Sequence, residues 1–164
     1  MKTILAPIDF SESSQLVITE SVALARATGA RVILLHVIQP LPGSAGEFGF
    51  AEATAKIAGA ALHKAVQRLT HLQRQLSDRG FTVETFHTVG VSGPAIVARA
   101  QEFHASYIVI GSHGHGAFYD LIVGSTTSRV LKEATCPVLV IPCSVTTDNQ
   151  AAPLDLEPAE AVEV

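Results

Sequence analysis

The sequence predicts an α/β domain in which helices cover both faces of a parallel sheet. Five short runs rich in Val, Ile and Leu alternate with longer stretches of helical periodicity, the pattern of strands buried on both sides. At 164 residues, with 48 % hydrophobic and 16 % charged residues, the chain has room for one core-rich domain and too little for two comfortable ones. Its longest apolar runs are strand-length, far below the roughly 18 residues of a membrane helix, and the run after Met1-Lys2 breaks at Pro7, too early for a signal-peptide core. The expected location is the cytoplasm.

The first strand is expected at about Thr3–Ile8. Ser11 is placed to cap a helix of about Glu12–Thr28, in which Leu16, Val17, Ala23, Leu24 and Ala27 recur at helical spacing and after which Gly29 supplies the stop. The second strand, about Arg31–Val37, runs into the turn-forming segment 39–46, read as a long mobile loop. The longest helix, about Ala51–Arg79, carries Leu62, Val66, Leu69, Leu72 and Leu76 on one face and ends before Gly80. A third strand at about Thr82–Thr88 alternates enough polar residues to suggest a solvated face near a sheet edge. Ser92 is read as the cap of a helix of about Gly93–His104, with Pro94 tolerated in its first turn. The unbroken run Tyr107–Ile110 is the fourth strand; a short helix of about Ser125–Ala134 and a fifth strand of about Pro137–Ile141 close the domain at residue 143. Residues 144–164 lack periodicity and read as a disordered acidic tail.

Charge sharpens this division. All 11 Lys and Arg lie in residues 1–143, whereas five of the 15 acids (Asp148, Asp155, Glu157, Glu160, Glu163) lie in the tail, so the net charge of −4 resides there. A near-neutral body with scattered bases offers no footprint for a nucleic-acid backbone. The two cysteines, Cys136 and Cys143, flank the fifth strand; an extended segment holds their α-carbons about 23 Å apart, beyond reach of an intrachain disulfide.

The chemistry concentrates between the fourth strand and the last helix. Gly111 and Gly114 lie where the chain leaves a buried strand, where glycine permits close approach of backbone to ligand. Gly124-Ser125-Thr126-Thr127 opens a helix whose free N–H groups and positive dipole end form an anion site, with hydroxyls added. Together these segments can cradle a polyphosphate. No Gly-x4-Gly-Lys-Ser/Thr occurs, and the turn Asp9-Phe10-Ser11-Glu12-Ser13 holds no glycine, which disfavours P-loop NTPases and standard dinucleotide dehydrogenases.

The spacing Gly111-x2-Gly114-x9-Gly124-Ser125 is similar to the Gly-x2-Gly-x9-Gly-Ser/Thr signature of the ATP-binding branch of the universal stress protein family. The opening Ile4-Leu5-Ala6-Pro7-Ile8-Asp9-Phe10-Ser11 and the strand end Leu35-His36-Val37 also resemble that family, over about residues 2–142. The resemblance implies an open, Rossmann-like five-stranded parallel sheet of order 3-2-1-4-5, akin to adenine nucleotide alpha hydrolases, with ATP at the carboxyl ends of strands one and four. It assigns Pro7, Asp9 and Val37 to the adenosine side, Ile110 and Gly111 to the ribose, and Gly114, Gly124, Ser125 and Thr126 to the phosphates, with Mg²⁺ carried through those phosphates. Asp9 is alternatively a group that places the divalent ion. Ala6 and Gly116 depart from the bulkier residues common in the family and imply a looser lid between Gly114 and Gly124.

Other residues invite stronger readings. His113, His115 and Asp120 suggest metal ligation, but two histidines without a third fixed ligand read as loop residues, one of which can donate to phosphate. Asp9 is a candidate general base, although a buried strand-end carboxylate more often binds a ribose hydroxyl, an amide or a metal, and Ser125 as a nucleophile lacks the His and Asp spacing of a triad. Arg129 and Lys132 lie toward the carboxyl half of the last helix, where cations complement the dipole rather than clamp phosphate.

The resemblance also implies a homodimer paired antiparallel through the last strand, Pro137 to Ile141. Centred near Leu139 and Val140, that pairing would set Cys136 opposite the second copy's Cys143 and permit an intersubunit disulfide under oxidation. The function it implies is a cytoplasmic, nucleotide-dependent stress-response module with slow or no hydrolysis and an unidentified regulatory protein partner. The alternatives are a nucleotide-independent, chaperone-like dimer and a weak ATP hydrolase.

Overall fold

The computed structural model describes residues 1–40, 51–112 and 123–142. Nine elements alternate along them: β1 (Thr3–Pro7), α1 (Glu12–Thr28), β2 (Arg31–Ile38), α2 (Ala51–Asp78), β3 (Val83–Val89), α3 (Ser92–Glu102), β4 (Tyr107–Gly111), α4 (Ser125–Glu133) and β5 (Val138–Ile141). The strands form one open parallel sheet in the order β3-β2-β1-β4-β5. Side chains alternate across it, so Ile4 and Ala6 enter one core layer while Leu5 enters the other. The first layer is closed by α1 and α2 through Val17, Ile18, Val22, Leu69, Leu72 and Leu76. The second is closed by α3 and α4 through Ile96, Val97, Ala100 and Val130. Both neighbours of β1 are therefore parallel to it, and the chain leaves β1 and β4 toward opposite faces, which opens a crevice at their carboxyl ends.

Local signals hold where they act locally. Gly29 ends α1 in the left-handed conformation at φ 66°, its N–H donating to the Ala25 carbonyl. The sequence reading needs correction where longer contacts decide. Ser11 occupies the N-cap position of α1 without capping it, because its hydroxyl turns back to the Asp9 carboxylate. Val91, not Ser92, is the N-cap of α3; Ser92 is the first helical residue, and its hydroxyl accepts from Gln39 Nε2 at 3.3 Å. That helix stops at Glu102 and not at His104, which is left-handed at φ 48°. β5 begins at Val138 because Pro137 has no N–H to give the ladder, although its carbonyl still accepts from Ile108 at 3.0 Å. Leu62 and Val66, placed on one face of α2 with Leu69, Leu72 and Leu76, are 36 % and 38 % exposed whereas those three are buried. The helix has 28 residues, about 42 Å, against eight residues and about 26 Å for β2, so its amino-terminal part outruns the sheet.

As expected for an edge, β3 leaves Phe86 and Val89 exposed. No helix among the described residues is long and apolar enough to cross a membrane. The loop after Pro40, the histidine loop with Gly114, Gly116 and Asp120, Cys143 and the tail lie outside the described residues.

Candidate functional site

The crevice at the carboxyl ends of β1 and β4 is a cleft of about 430 Å³, within the range of small-molecule sites. Its walls bring together Pro7, Asp9, Val37, Ile110, Gly111, Gly124, Ser125 and Thr126, which are eight of the nine residues singled out from sequence; Gly114 lies outside the described residues. Leu35, Val37, Ile96 and Ile110 give one apolar sector, and the starts of α1, α3 and α4 contribute Ser13, Ser14, Ser92, Ser125 and Thr126. All of these helices follow strands of one parallel sheet, so their amino ends face the same side.

The turn after β1 is dense with internal bonds. Asp9 Oδ1 accepts from the Ser11 N–H at 3.0 Å, from the Ser14 hydroxyl at 2.9 Å and from the Ser11 hydroxyl. The Asp9 N–H in turn donates to Ser14 Oγ at 3.2 Å, and the Ser11 and Ser13 hydroxyls lie 2.8 Å apart. One carboxylate oxygen thus organises the whole entry into α1. Phe10, between Asp9 and Ser11, is left-handed at φ 61°, a conformation costing an aromatic residue of order 1–3 kcal/mol. Its ring contacts the His36 ring, 4.5 Å away, and the Arg68 guanidinium of α2, 4.3 Å from its centroid. His36 is fixed in turn: Nδ1 donates to the Ile8 carbonyl at 2.9 Å, which specifies the tautomer.

The start of α4 is built differently. The Gly124 N–H donates to the Ser112 carbonyl at 2.9 Å, and the buried Thr127 hydroxyl donates to the Gly111 carbonyl at 2.8 Å, so both act as anchors to β4. Thr127 is thereby removed from the hydroxyls that the Gly-Ser-Thr-Thr run offers a ligand. The first intrahelical bond runs from Ser128 N–H to the Gly124 carbonyl at 2.8 Å, so the helix supplies no acceptor for the amides of Ser125, Thr126 and Thr127. Gly124 itself has an ordinary backbone (φ −58°, ψ 158°), so no unusual dihedral requires glycine there.

These donors suit an anion. Three amides at the positive end of a nine-residue helix, with two hydroxyls beside them, are donors of the kind that can hold an anion. No Lys or Arg lines the cleft among the described residues. Arg129, in the middle of α4, pairs instead with Glu133 at 2.6 Å. Among the described residues no three His, Cys, Asp or Glu side chains cluster as a metal site. Sequence reasoning missed Ser13, Ser14, Ser92, Gln39 and Ile96 in the cleft wall. The serines beside Asp9 were a readable signal, since hydroxyls follow a strand end there. Gln39 and Ile96 carried none.

The Universal stress protein family matches residues 1–142 of this chain. The universal stress protein MJ0577 of Methanocaldococcus jannaschii is 30 % identical over 152 residues, covering 85 % of this chain and 94 % of that protein. Its solved structure superimposes with a TM-score of 0.77 at 29 % identity, over 88 % of this chain and 98 % of that one. Universal stress protein A homolog 1 of Coxiella burnetii is 32 % identical over 146 residues, covering 85 % of this chain and 95 % of that protein. A universal stress protein of Archaeoglobus fulgidus solved in complex with dAMP shares the fold, with a TM-score of 0.55 at 23 % identity over 85 % of this chain and 96 % of that one. A further one was solved in complex with cAMP, with a TM-score of 0.56 at 21 % identity over 85 % and 95 % of the two chains.

Proposed function

The chain belongs to the universal stress protein family, and from that premise we propose that its cleft binds ATP with Mg²⁺ and acts as a nucleotide-dependent regulatory module in the cytoplasm. The observation that carries this reading is the set of three α4 amides, without a helical acceptor, beside an apolar wall at the point where the sheet order reverses. The adenine ring fits the apolar sector, with Pro7, Asp9 and Val37 around the adenosine and Ile110 and Gly111 near the ribose. The triphosphate extends over Gly124, Ser125 and Thr126, toward Gly114. Mg²⁺ sits on phosphate oxygens, its usual mode where the protein offers no dedicated cage. That two proteins of this fold were solved with dAMP and with cAMP supports an adenine nucleotide as the ligand class.

Isothermal titration with ATP and Mg²⁺ tests the reading, repeated on Gly114→Ala and Gly124→Ala. Heat of binding from the parent protein and its loss in the variants is the expected result. A parent protein that binds nothing leaves the nucleotide-independent alternative, and equal binding by the variants moves the site elsewhere. Hydrolysis is expected to be slow or absent, and turnover above about 1 s⁻¹, the lower end of ordinary enzyme rates, would replace the module with an ATPase.

The same reading includes a homodimer through β5, whose outer edge has no strand partner in the described sheet and whose Leu139 is 42 % exposed. Sedimentation as a monomer at micromolar concentration would remove the dimer. A regulatory protein that senses the nucleotide state completes the proposal, and its capture should depend on ATP.

A further inference from the structure

We propose that Gly93, in the first turn of α3, is a positioning residue for the phosphate end of the cleft: its missing side chain sets where the first turn of α4 lies. The inference rests on the nucleotide reading above for its consequence and on geometry alone for its cause.

Gly93 is buried, and α4 crosses directly over it. A β-carbon added there would stand 2.8 Å from Arg129 Cγ, 2.9 Å from Arg129 Cβ and 3.7 Å from the Thr126 carbonyl oxygen. The first two distances are shorter than nonbonded carbons tolerate; a side-chain rotation can carry Cγ away, but Cβ is fixed to the backbone and yields only if one of the two helices moves. Arg129 pairs with Glu133 at 2.6 Å on the helix surface. Gly93 needs no unusual dihedral; the requirement is space. Helix propensity alone would favour alanine at this position.

On its other side α4 is tied to β4 by the Gly124 N–H to Ser112 and by the Thr127 hydroxyl to Gly111. These two bonds make a pivot. A methyl group at 93 pushes the Arg129 side of the helix outward while the β4 side stays held, which turns the amides of Ser125, Thr126 and Thr127 relative to the cleft. Hydrogen bonds to phosphate weaken steeply with misalignment. The apolar sector that takes the base rests on Leu35, Val37 and Ile110 of the sheet, which keep their place, with Ile96 of α3 beside them. Gly93 therefore acts on the triphosphate and not on the adenosine.

The experiment compares adenosine and Mg-ATP affinities of the parent protein, Gly93→Ala, and Gly93→Ala combined with Arg129→Gly. The expected result is a loss of about tenfold in ATP affinity for Gly93→Ala, the scale of one charge-assisted hydrogen bond, with adenosine affinity unchanged and ATP affinity recovered in the double variant. The amide NMR resonances of Ser125 to Thr127 should also shift in ligand-free Gly93→Ala and return in the double variant. Unmoved resonances overturn the proposal, as does an equal loss of ATP and adenosine. A parent protein that ignores both ligands while the resonances still shift overturns the nucleotide reading and leaves the positioning of α4 intact.

Discussion

The two lips of the cleft are made from the same parts, a strand end running into a helix start, yet they are opposites in how their polar groups are engaged. At the β1–α1 lip the Asp9 carboxylate draws in the Ser11 amide and the Ser11 and Ser14 hydroxyls, and Phe10 contacts His36 and Arg68. At the β4–α4 lip the Gly124 amide and the Thr127 hydroxyl serve as anchors, and three helical amides have no partner from their own helix. A side-chain oxygen that satisfies the turn makes a fixed wall. Glycine in its place offers the helix start no such oxygen.

Substitutions on the two lips should separate accordingly. The largest effect is expected from Asp9→Ala, which strips the acceptor from three donors at once; urea denaturation should show a loss of about 2–4 kcal/mol of stability. Ser125→Pro should do the reverse. Proline fits the first helical position, and Gly124 before it already has the extended backbone proline demands, so the melting temperature should hold while ATP affinity falls about tenfold with the lost amide and hydroxyl. A stability loss at Ser125 and none at Asp9 would break the comparison. Thr127→Val, which leaves the Gly111 carbonyl without its donor, should cost about 1 kcal/mol of stability, measured the same way. For the left-handed Phe10, Phe10→Gly and Phe10→Ala both lose the stacks, but alanine also keeps the strain, so it should be the less stable by about 1 kcal/mol. The smallest effect concerns Cys136 on the far side of the second core layer. Burial pushes its thiol above the ordinary value, so at neutral pH the thiolate fraction is reduced and alkylation should be slower than for a free cysteine, rising only at more alkaline pH.

Much of this was legible. Strand and helix succession followed from short apolar runs alternating with stretches of 3.6-residue period, and Gly29 stopped α1 because a left-handed stop is a local property. The strand order was not read from periodicity; it came with the family resemblance, and the sheet has it. Ser11 and Ser92 misled because a hydroxyl at a helix start has more than one acceptor or donor within reach, and Asp9 and Gln39 took them. Leu62 and Val66 misled because an apolar stripe reports which face a helix turns inward and not how far the sheet beneath it extends.

The amino-acid sequence by itself determined the alternation of strands and helices, the domain's apolar core and the glycines around one strand-to-helix passage, because propensity, pattern and turn chemistry act over a few residues. Only the tertiary structure decided which donors in that passage are already engaged and how close α4 lies to Gly93. Those outcomes depend on Ser112, Gly111 and Arg129 meeting groups that their spacing along the chain does not specify, and a hydrogen-bond donor is available to a ligand only after its neighbours in space have been counted.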